Sequence, residues 1–137
     1  MIKNVLVLCT GNSCRSIMAE ALINALGKGK YLAQSAGSNP VGYVHPKSIE
    51  TLGRHGIDID APRSKSWDEF ENKYIDLVIT VCDQAASESC PAFFGKHEKL
   101  HWSTPDPASE QGSESEIDAA FDNAFSMLKK RIEKELL

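Results

Sequence analysis

The sequence has no excess of basic residues, no long apolar run and no segment resembling a cleavable signal. Its 15 lysines and arginines are outnumbered by 19 aspartates and glutamates, giving a formal net charge of −4 with no basic cluster. Broad binding to nucleic acid is therefore not expected. No apolar run approaches the roughly 20 residues that a membrane helix needs. We expect a soluble, cytoplasmic protein that does not enter a membrane.

Cysteine is also scarce, with only Cys9, Cys14, Cys82 and Cys90. A chain of 137 residues that is 42% hydrophobic can bury one core without a disulfide framework, so we expect one domain over residues 1–137. The spacings Cys-x4-Cys and Cys-x7-Cys differ from the paired Cys-x2-Cys of structural zinc sites, and no histidine completes a ligand set. We therefore expect reduced cysteines, one or more with a chemical role, and no metal or cofactor.

Strand and helix patterns alternate along the chain. Apolar, β-favouring runs predict strands at 5–8, 31–36 and 75–81 and a weaker strand around 100–102. Helical spacing of apolar residues predicts helices at 18–26, 45–56 and 117–136, the last entered through a polar loop at 109–115. This alternation predicts an α/β fold, a three-layer domain with a parallel sheet flanked by helices.

The loop from Cys9 to Ser16, CTGNSCRS, follows the first predicted strand. Ligands of parallel sheets bind beyond the carboxyl ends of the strands. Glycine and short polar residues let successive backbone N–H groups converge on one point, and the next helix adds its positive N-terminal end. The loop therefore favours a compact oxyanion. Its expected binding residues are Thr10, Gly11, Asn12, Ser13, Cys14, Arg15 and Ser16.

Two residues of this loop can also carry chemistry. The planar fork of Arg15 can hold two oxygens of an anion. Cys9 lies in the same positive field, and a pKa lowered by about two to three units would make its thiol mostly thiolate at neutral pH. Ser16 could donate a hydrogen bond to that thiolate. Cys14 is read as a packed bystander, with reversible pairing to Cys9 as the alternative.

CTGNSCRSIMAEA, with the later Asp106-Pro107, resembles the low-molecular-weight protein tyrosine phosphatase fold, and more closely its thioredoxin-coupled arsenate reductase branch. The likeness extends through SAGSNP, VHPKSIETLGRHGIDI, Cys90-Pro91 and HWSTPDPA. A phosphatase of this kind needs Cys9 as nucleophile, Arg15 to hold the phosphoryl group and Asp106 as general acid. A reductase must also deliver two electrons, so it needs further thiols.

The resemblance to the reductase branch implies roles for the remaining cysteines. Cys9 would attack arsenate, Cys82 would attack Cys9 and release arsenite, and Cys90 would attack Cys82 to leave a disulfide for thioredoxin. For that last exchange, the Cα atoms of Cys82 and Cys90 must come within about 7 Å. The alternative is one core thiol and one incidental surface thiol. We expect a monomer.

Two departures from the family pattern bear on function. The phosphatases have an aromatic pair after the aspartate-proline, where this chain has Ala108 and Ser109, so a small inorganic anion fits better than a phosphorylated protein. Some members bind potassium beside the loop through an aspartate whose position is taken here by Lys65. An ammonium group could meet Glu20 there, and no potassium requirement is expected. The rival hypotheses are a phosphatase and a non-catalytic redox or anion sensor.

Overall fold

The computed structural model describes residues 2–59, 61–83, 85 and 97–137. Within them the strands are β1 (Lys3–Cys9), β2 (Tyr31–Gly37), β3 (Leu77–Thr80) and β4 (Glu98–His101). The helices are α1 (Arg15–Leu26), α2 (Pro46–Arg54) and α3 (Glu114–Glu135), with short 3-10 helices at Trp67–Phe70 and Pro107–Ser109. No described helix is long and apolar enough to cross a membrane.

The four strands form one parallel sheet in the order β2-β1-β3-β4. β1 is central and pairs with β2 on one side and β3 on the other, with Leu8 opposite Thr80. Its last five residues are buried, as are Leu77, Val78 and Ile79 of β3. This burial explains the nearly unbroken apolar runs of these strands, because both faces of a central parallel strand are covered.

The two faces of the sheet pack against different elements. On one face, alternate β1 residues such as Val5 and Val7 pack with Met18 of α1 and Phe121 of α3. On the other, Leu6 and Leu8 pack with Phe70 from the 3-10 helix at Trp67–Phe70. The parallel α/β fold predicted from the sequence is confirmed, and this 3-10 segment covers the second face in the part of the chain that the structure describes.

The helix ends follow local capping chemistry. His45 caps α2, its ring accepting a hydrogen bond from the Lys47 N–H, and Pro46 stands at the first helical position, as predicted. α3 begins at Glu114, inside the segment predicted to be a polar loop. Ser113 and Glu116 bond each other's backbone N–H groups there, and this Ser-x-x-Glu box is the sequence signal that marks the start.

Candidate active site

Cys9 and Cys82 leave adjacent parallel strands at the same edge of the sheet. The Val81 N–H donates to the Leu8 carbonyl (3.0 Å), which continues the β1–β3 ladder to the residue before Cys82. Both cysteines are buried, at 5% and 4% exposure, and both line a cleft of about 670 Å³. The cleft lies between the loop after β1 and the segment from Ser103 to Asp106. Parallel strand direction thus places two thiols in one cleft.

The loop from Cys9 to Ser16 turns at Asn12, which has a φ of 49°. The sequence analysis attributed the turning of this loop to glycine and short polar residues together, and the positive φ falls on the short polar residue Asn12 and not on Gly11. Asn12 is fully buried, and its side-chain amide donates to the hydroxyls of Ser16 (2.8 Å) and Ser35 (2.9 Å). Its side-chain oxygen accepts from the Lys65 N–H (2.9 Å). These three bonds hold the left-handed turn.

The same network reaches a charged pair behind the loop. Ser35 donates to Glu20 (2.7 Å), whose carboxylate lies 3.9 Å from the Lys65 ammonium. The Lys65 and Glu20 side chains are only 10% and 13% exposed. Burial raises the pKa of Glu20 and lowers that of Lys65, because each loses water around its charged form. The ammonium therefore lies beside Glu20, as the sequence analysis expected.

Gly37 is a site residue that sequence reasoning did not single out. It pairs with Cys9 across β1 and β2, and its N–H donates to the Lys65 carbonyl (2.9 Å). A Cβ atom at this position would collide with the Thr10 carbonyl, so only glycine allows β2 to pass this close to the loop. The signal was present in SAGSNP, where the glycine directly follows a predicted strand.

The two thiols interact, and each changes the pKa of the other. Hydrogen bonding to Cys82, followed by burial, raises the pKa of Cys9, although Arg15 opposes this. The pKa of Cys82 is lowered to about 5, chiefly by Cys9 and then by contacts with Thr10 and Ala85. The Cys82 sulfur lies 3.6 Å from the Thr10 hydroxyl and 3.4 Å from the Ala85 nitrogen. The contact therefore couples the two thiols and favours the ionised form of Cys82, while the Cys9 thiolate expected for the reaction stays a prediction.

Arg15 and Asp106 meet across the cleft. The Arg15 guanidinium donates to the Thr104 carbonyl (3.0 Å) and lies 3.9 Å from the Asp106 carboxylate. The Asp106 carboxylate also accepts from the Ala108 N–H (3.0 Å), which caps the 3-10 turn at Pro107–Ser109. Asp106 therefore shapes the turn and faces the cleft at the same time. Arg15 is the first residue of α1, and its side chain lines the cleft.

The remaining loop residues are tied to neighbouring elements. The Ser13 carbonyl accepts from the His45 N–H (3.1 Å) and the Ser48 hydroxyl (3.0 Å), which anchors the loop to the start of α2. Cys14 is 4% exposed and packs in the core, and burial raises its pKa. These facts agree with the reading of Cys14 as a packed thiol. Ser16 is fully buried, and its hydroxyl accepts a hydrogen bond from the Asn12 side chain.

The outer walls of the cleft combine small and aromatic residues. Ala108 lines one side, and Val41 and Tyr43 line the cleft from the segment after β2. Cys90 lies outside the described residues, so its separation from Cys82 stays a prediction. Among the residues that the structure describes, no group of three His, Cys, Asp or Glu side chains is placed to hold a metal ion.

Known proteins resemble this chain along almost its whole length. The model of the low molecular weight phosphotyrosine protein phosphatase family matches residues 4–136. An arsenate reductase from Halalkalibacterium halodurans is 39% identical over 135 residues, which cover 95% of this chain and 92% of the relative. A solved structure of an arsenate reductase in its oxidized state has a TM-score of 0.78 and 28% identity, covering 97% of this chain and 95% of that one.

A thioredoxin-dependent arsenate reductase from Corynebacterium glutamicum has a TM-score of 0.66 and 28% identity, covering 97% of this chain and 63% of that one. The resemblance inferred from CTGNSCRS and Asp106-Pro107 is confirmed by these matches. The chain belongs to the low molecular weight phosphotyrosine protein phosphatase family.

Proposed function

We propose that this protein reduces arsenate to arsenite with electrons from its own cysteines. The observation that carries the proposal is the pair of interacting thiols, Cys9 and Cys82, in one cleft beside an oxyanion loop. Phosphate ester hydrolysis uses one nucleophile and has no step for a second thiol. Two thiols supply the two electrons that separate arsenate from arsenite. The arsenate reductases among its relatives support the same assignment.

The first step joins Cys9 to arsenic. Arsenate enters the cleft, where the loop N–H groups and Arg15 offset its charge. The added negative charge beside Arg15 draws that side chain from the Thr104 carbonyl, 3.0 Å away in the free cleft. Asp106 takes up the Cys9 proton as the sulfur–arsenic bond forms, and it passes this proton to the departing hydroxyl, which leaves arsenic as water.

The second step transfers the electrons. The Cys82 thiolate attacks the Cys9 sulfur, so a sulfur–sulfur bond forms and the sulfur–arsenic bond breaks. The electron pair of the broken bond stays on arsenic, which changes from arsenic(V) to arsenic(III) and leaves as arsenite. The contacts of the Cys82 sulfur with the Thr10 hydroxyl (3.6 Å) and the Ala85 N–H (3.4 Å) also lower its pKa and do not depend on the Cys9 proton, so they favour the attacking thiolate at this step. Both sulfurs end in a Cys9–Cys82 disulfide.

The third step regenerates the nucleophile. We assign the attack on Cys82 to Cys90, which frees Cys9 as a thiolate and leaves a Cys82–Cys90 disulfide. Thioredoxin then reduces that disulfide by thiol exchange, as expected from the sequence and supported by the thioredoxin-dependent relative. The protein is proposed to act in the cytoplasm as a monomer. We propose that it uses no cofactor, because protein thiols supply all the electrons.

A single-turnover assay tests the proposal. Reduced protein mixed with arsenate, with no external reductant, should lose two free thiols per arsenite formed. Cys82→Ser should abolish arsenite formation, because the adduct on Cys9 then has no attacking sulfur. Cys14→Ser is the matched control: it removes another buried thiol of the same cleft and should leave the stoichiometry at two thiols per arsenite. Arsenite formation by Cys82→Ser at the native rate would refute the mechanism.

Hydrolysis of aryl phosphates is a second candidate activity. Cys9, Arg15 and Asp106 line the cleft together, and Tyr43 and Val41 line it as well. These residues suffice for a phosphoenzyme cycle in which water replaces Cys82. With p-nitrophenyl phosphate, Cys82→Ser should therefore keep its hydrolytic activity while losing arsenate reduction. Loss of both activities would instead indicate that Cys82 supports the loop as a whole.

A further inference from the structure

His101 contacts two residues on either side of the Cys82 backbone. It is the last residue of β4 and pairs with Thr80, the last residue of β3. Its Nε2 lies 2.8 Å from the Asp83 carboxylate, and its Nδ1 lies 2.7 Å from the Thr80 hydroxyl. Because a carboxylate only accepts, Nε2 carries a proton, and in the neutral ring Nδ1 accepts from Thr80. We call Thr80, Asp83 and His101 the clasp.

The clasp lies where the backbone hydrogen bonds that extend β3 come to an end. Up to Val81 the backbone is held from both sides, since its N–H donates to Leu8 (3.0 Å) and its carbonyl accepts from Thr104 (3.1 Å). Cys82 is the next residue. Asp83, directly after it, is tied back to β4 by the His101 side chain. The clasp therefore closes a turn from residue 80 to residue 83 around the Cys82 Cα.

The Asp83 carboxylate is suited to this contact. Hydrogen bonds from His101 and from Ser103 lower its pKa below the ordinary value, so it stays ionised and keeps accepting at neutral pH. Its side chain is 81% exposed, whereas Cys82 beside it is 4% exposed. The contact between Asp83 and His101 thus lies at the surface, while the thiol beside it lines the cleft. Asp83 also lines that cleft, whereas His101 and Thr80 do not.

The position of the Cys82 sulfur matters because thiol exchange has a strict geometry. The attacking sulfur must approach the Cys9 sulfur opposite the bond to arsenic, and a misplacement of about 1 Å can cost a large factor in rate. We propose that Thr80, Asp83 and His101 are positioning residues that hold the Cys82 sulfur against Cys9 for this attack. The role rests on the proposed function. The clasp exchanges no electrons or protons with the substrate; it fixes one turn of backbone.

The expected effect is modest, since Asp83 is largely exposed and His101 is partly exposed. Exposed pairs of this kind change an equilibrium or rate constant by roughly fivefold at most. His101→Ala removes both contacts. His101→Gln keeps a donor near the place of Nε2 and should recover part of the loss. His55→Ala is the matched control, because His55 forms a similar pair with Asp122 (3.1 Å) between α2 and α3.

The test uses the full chain carrying Cys90→Ser, so that exchange stops at the Cys9–Cys82 disulfide. In the first arm, glutathione redox buffers and peptide mapping give the equilibrium constant of that disulfide. His101→Ala should lower this equilibrium constant by up to about fivefold. His101→Gln should give an intermediate value, and His55→Ala should leave the constant unchanged. In the second arm, a single turnover with arsenate should give arsenite more slowly in His101→Ala, at an unchanged half-saturating arsenate concentration.

The two arms separate the possible failures. An unchanged disulfide equilibrium in His101→Ala would overturn the clasp, whatever arsenate does. An equal loss in His55→Ala would overturn it too, because the effect would then reflect general destabilisation. If the Cys90→Ser chain with its clasp intact forms the disulfide in glutathione but yields no arsenite, the proposed function fails, and the catalytic role of the clasp fails with it.

Discussion

The two sides of the cleft are built differently. The loop from Cys9 to Ser16 is held from inside by buried polar contacts that centre on Asn12. On the opposite side, the side chains of Asp83 and Asp106 are held by contacts nearer the surface. Buried hydrogen bonds are costly to break, whereas exposed charged contacts contribute little to stability. The loop is therefore fixed by the fold, while these two side chains facing it are held by weaker contacts.

The largest effect should follow from Gly37→Ala, which disturbs the loop side of the cleft. The added Cβ collides with the Thr10 carbonyl and pushes β2 away from the loop. We expect a loss of about 3 kcal/mol in unfolding free energy, together with loss of arsenate reduction. Urea denaturation and the single-turnover assay measure the two quantities. Gly53→Ala in α2 is the control, since nothing lies near its Cβ, and it should stabilise slightly.

Asn12→Ala should cost about 3 kcal/mol as well, because it removes the amide that donates to the Ser16 and Ser35 hydroxyls and leaves the Lys65 N–H without its acceptor. Asn24→Ala is the matched control, since Asn24 bonds both backbone groups of Ala33 away from the cleft. Both variants should lose stability in urea, but only Asn12→Ala should raise the half-saturating arsenate concentration. A similar rise in Asn24→Ala would remove the distinction between loop and scaffold.

Asp106→Asn tests the exposed side of the cleft. Asparagine keeps the oxygen that accepts from the Ala108 N–H, so the turn should persist and the unfolding free energy should stay within about 0.5 kcal/mol. The rate of arsenite formation should fall about 100-fold, because the leaving hydroxyl loses its acid. Rapid-quench kinetics measure this rate. A stability loss as large as that of Asn12→Ala would contradict the proposed difference between the two sides.

The smallest effect concerns the pH dependence of stability that arises from Glu20, behind the loop. Burial raises the pKa of Glu20 above 4.5, so the folded state binds this proton more tightly than the unfolded chain. Its contribution to stability is full below the unfolded pKa and is lost as pH rises through the folded value. Relative to Glu20→Gln, the native chain should therefore be more stable at pH 4 than at pH 7. A pH-independent difference between their unfolding free energies would exclude the shift.

The sequence predicted the central geometry because that geometry follows from local patterns. Apolar runs ending at Cys9 and before Cys82 indicate parallel strands, and parallel strands present their carboxyl ends at one edge. The same reasoning located the loop, α1 and the turn at Asp106. The beginning of α3 was missed although its signal, Ser113 with Glu116, is local.

Other features depend on contacts between distant segments and could not be predicted. The left-handed turn falls on Asn12 because Ser35 and Lys65 surround its side chain. Gly37 matters because β2 passes close to Thr10. The charge distribution of the thiol pair depends on the approach of Cys82, and His101 gained a role only when β4 was paired with β3. In each case the partner is at least 18 residues away in sequence.

The central claim is that Cys9 and Cys82 together supply the electrons. The most direct measurement is peptide mapping of Cys90→Ser protein after one turnover with arsenate, quenched in acid and alkylated. The account predicts one Cys9–Cys82 disulfide per arsenite released, with Cys14 alkylated as a free thiol. Arsenite released with Cys82 still alkylated as a free thiol, or with Cys9 joined to Cys14, would contradict it.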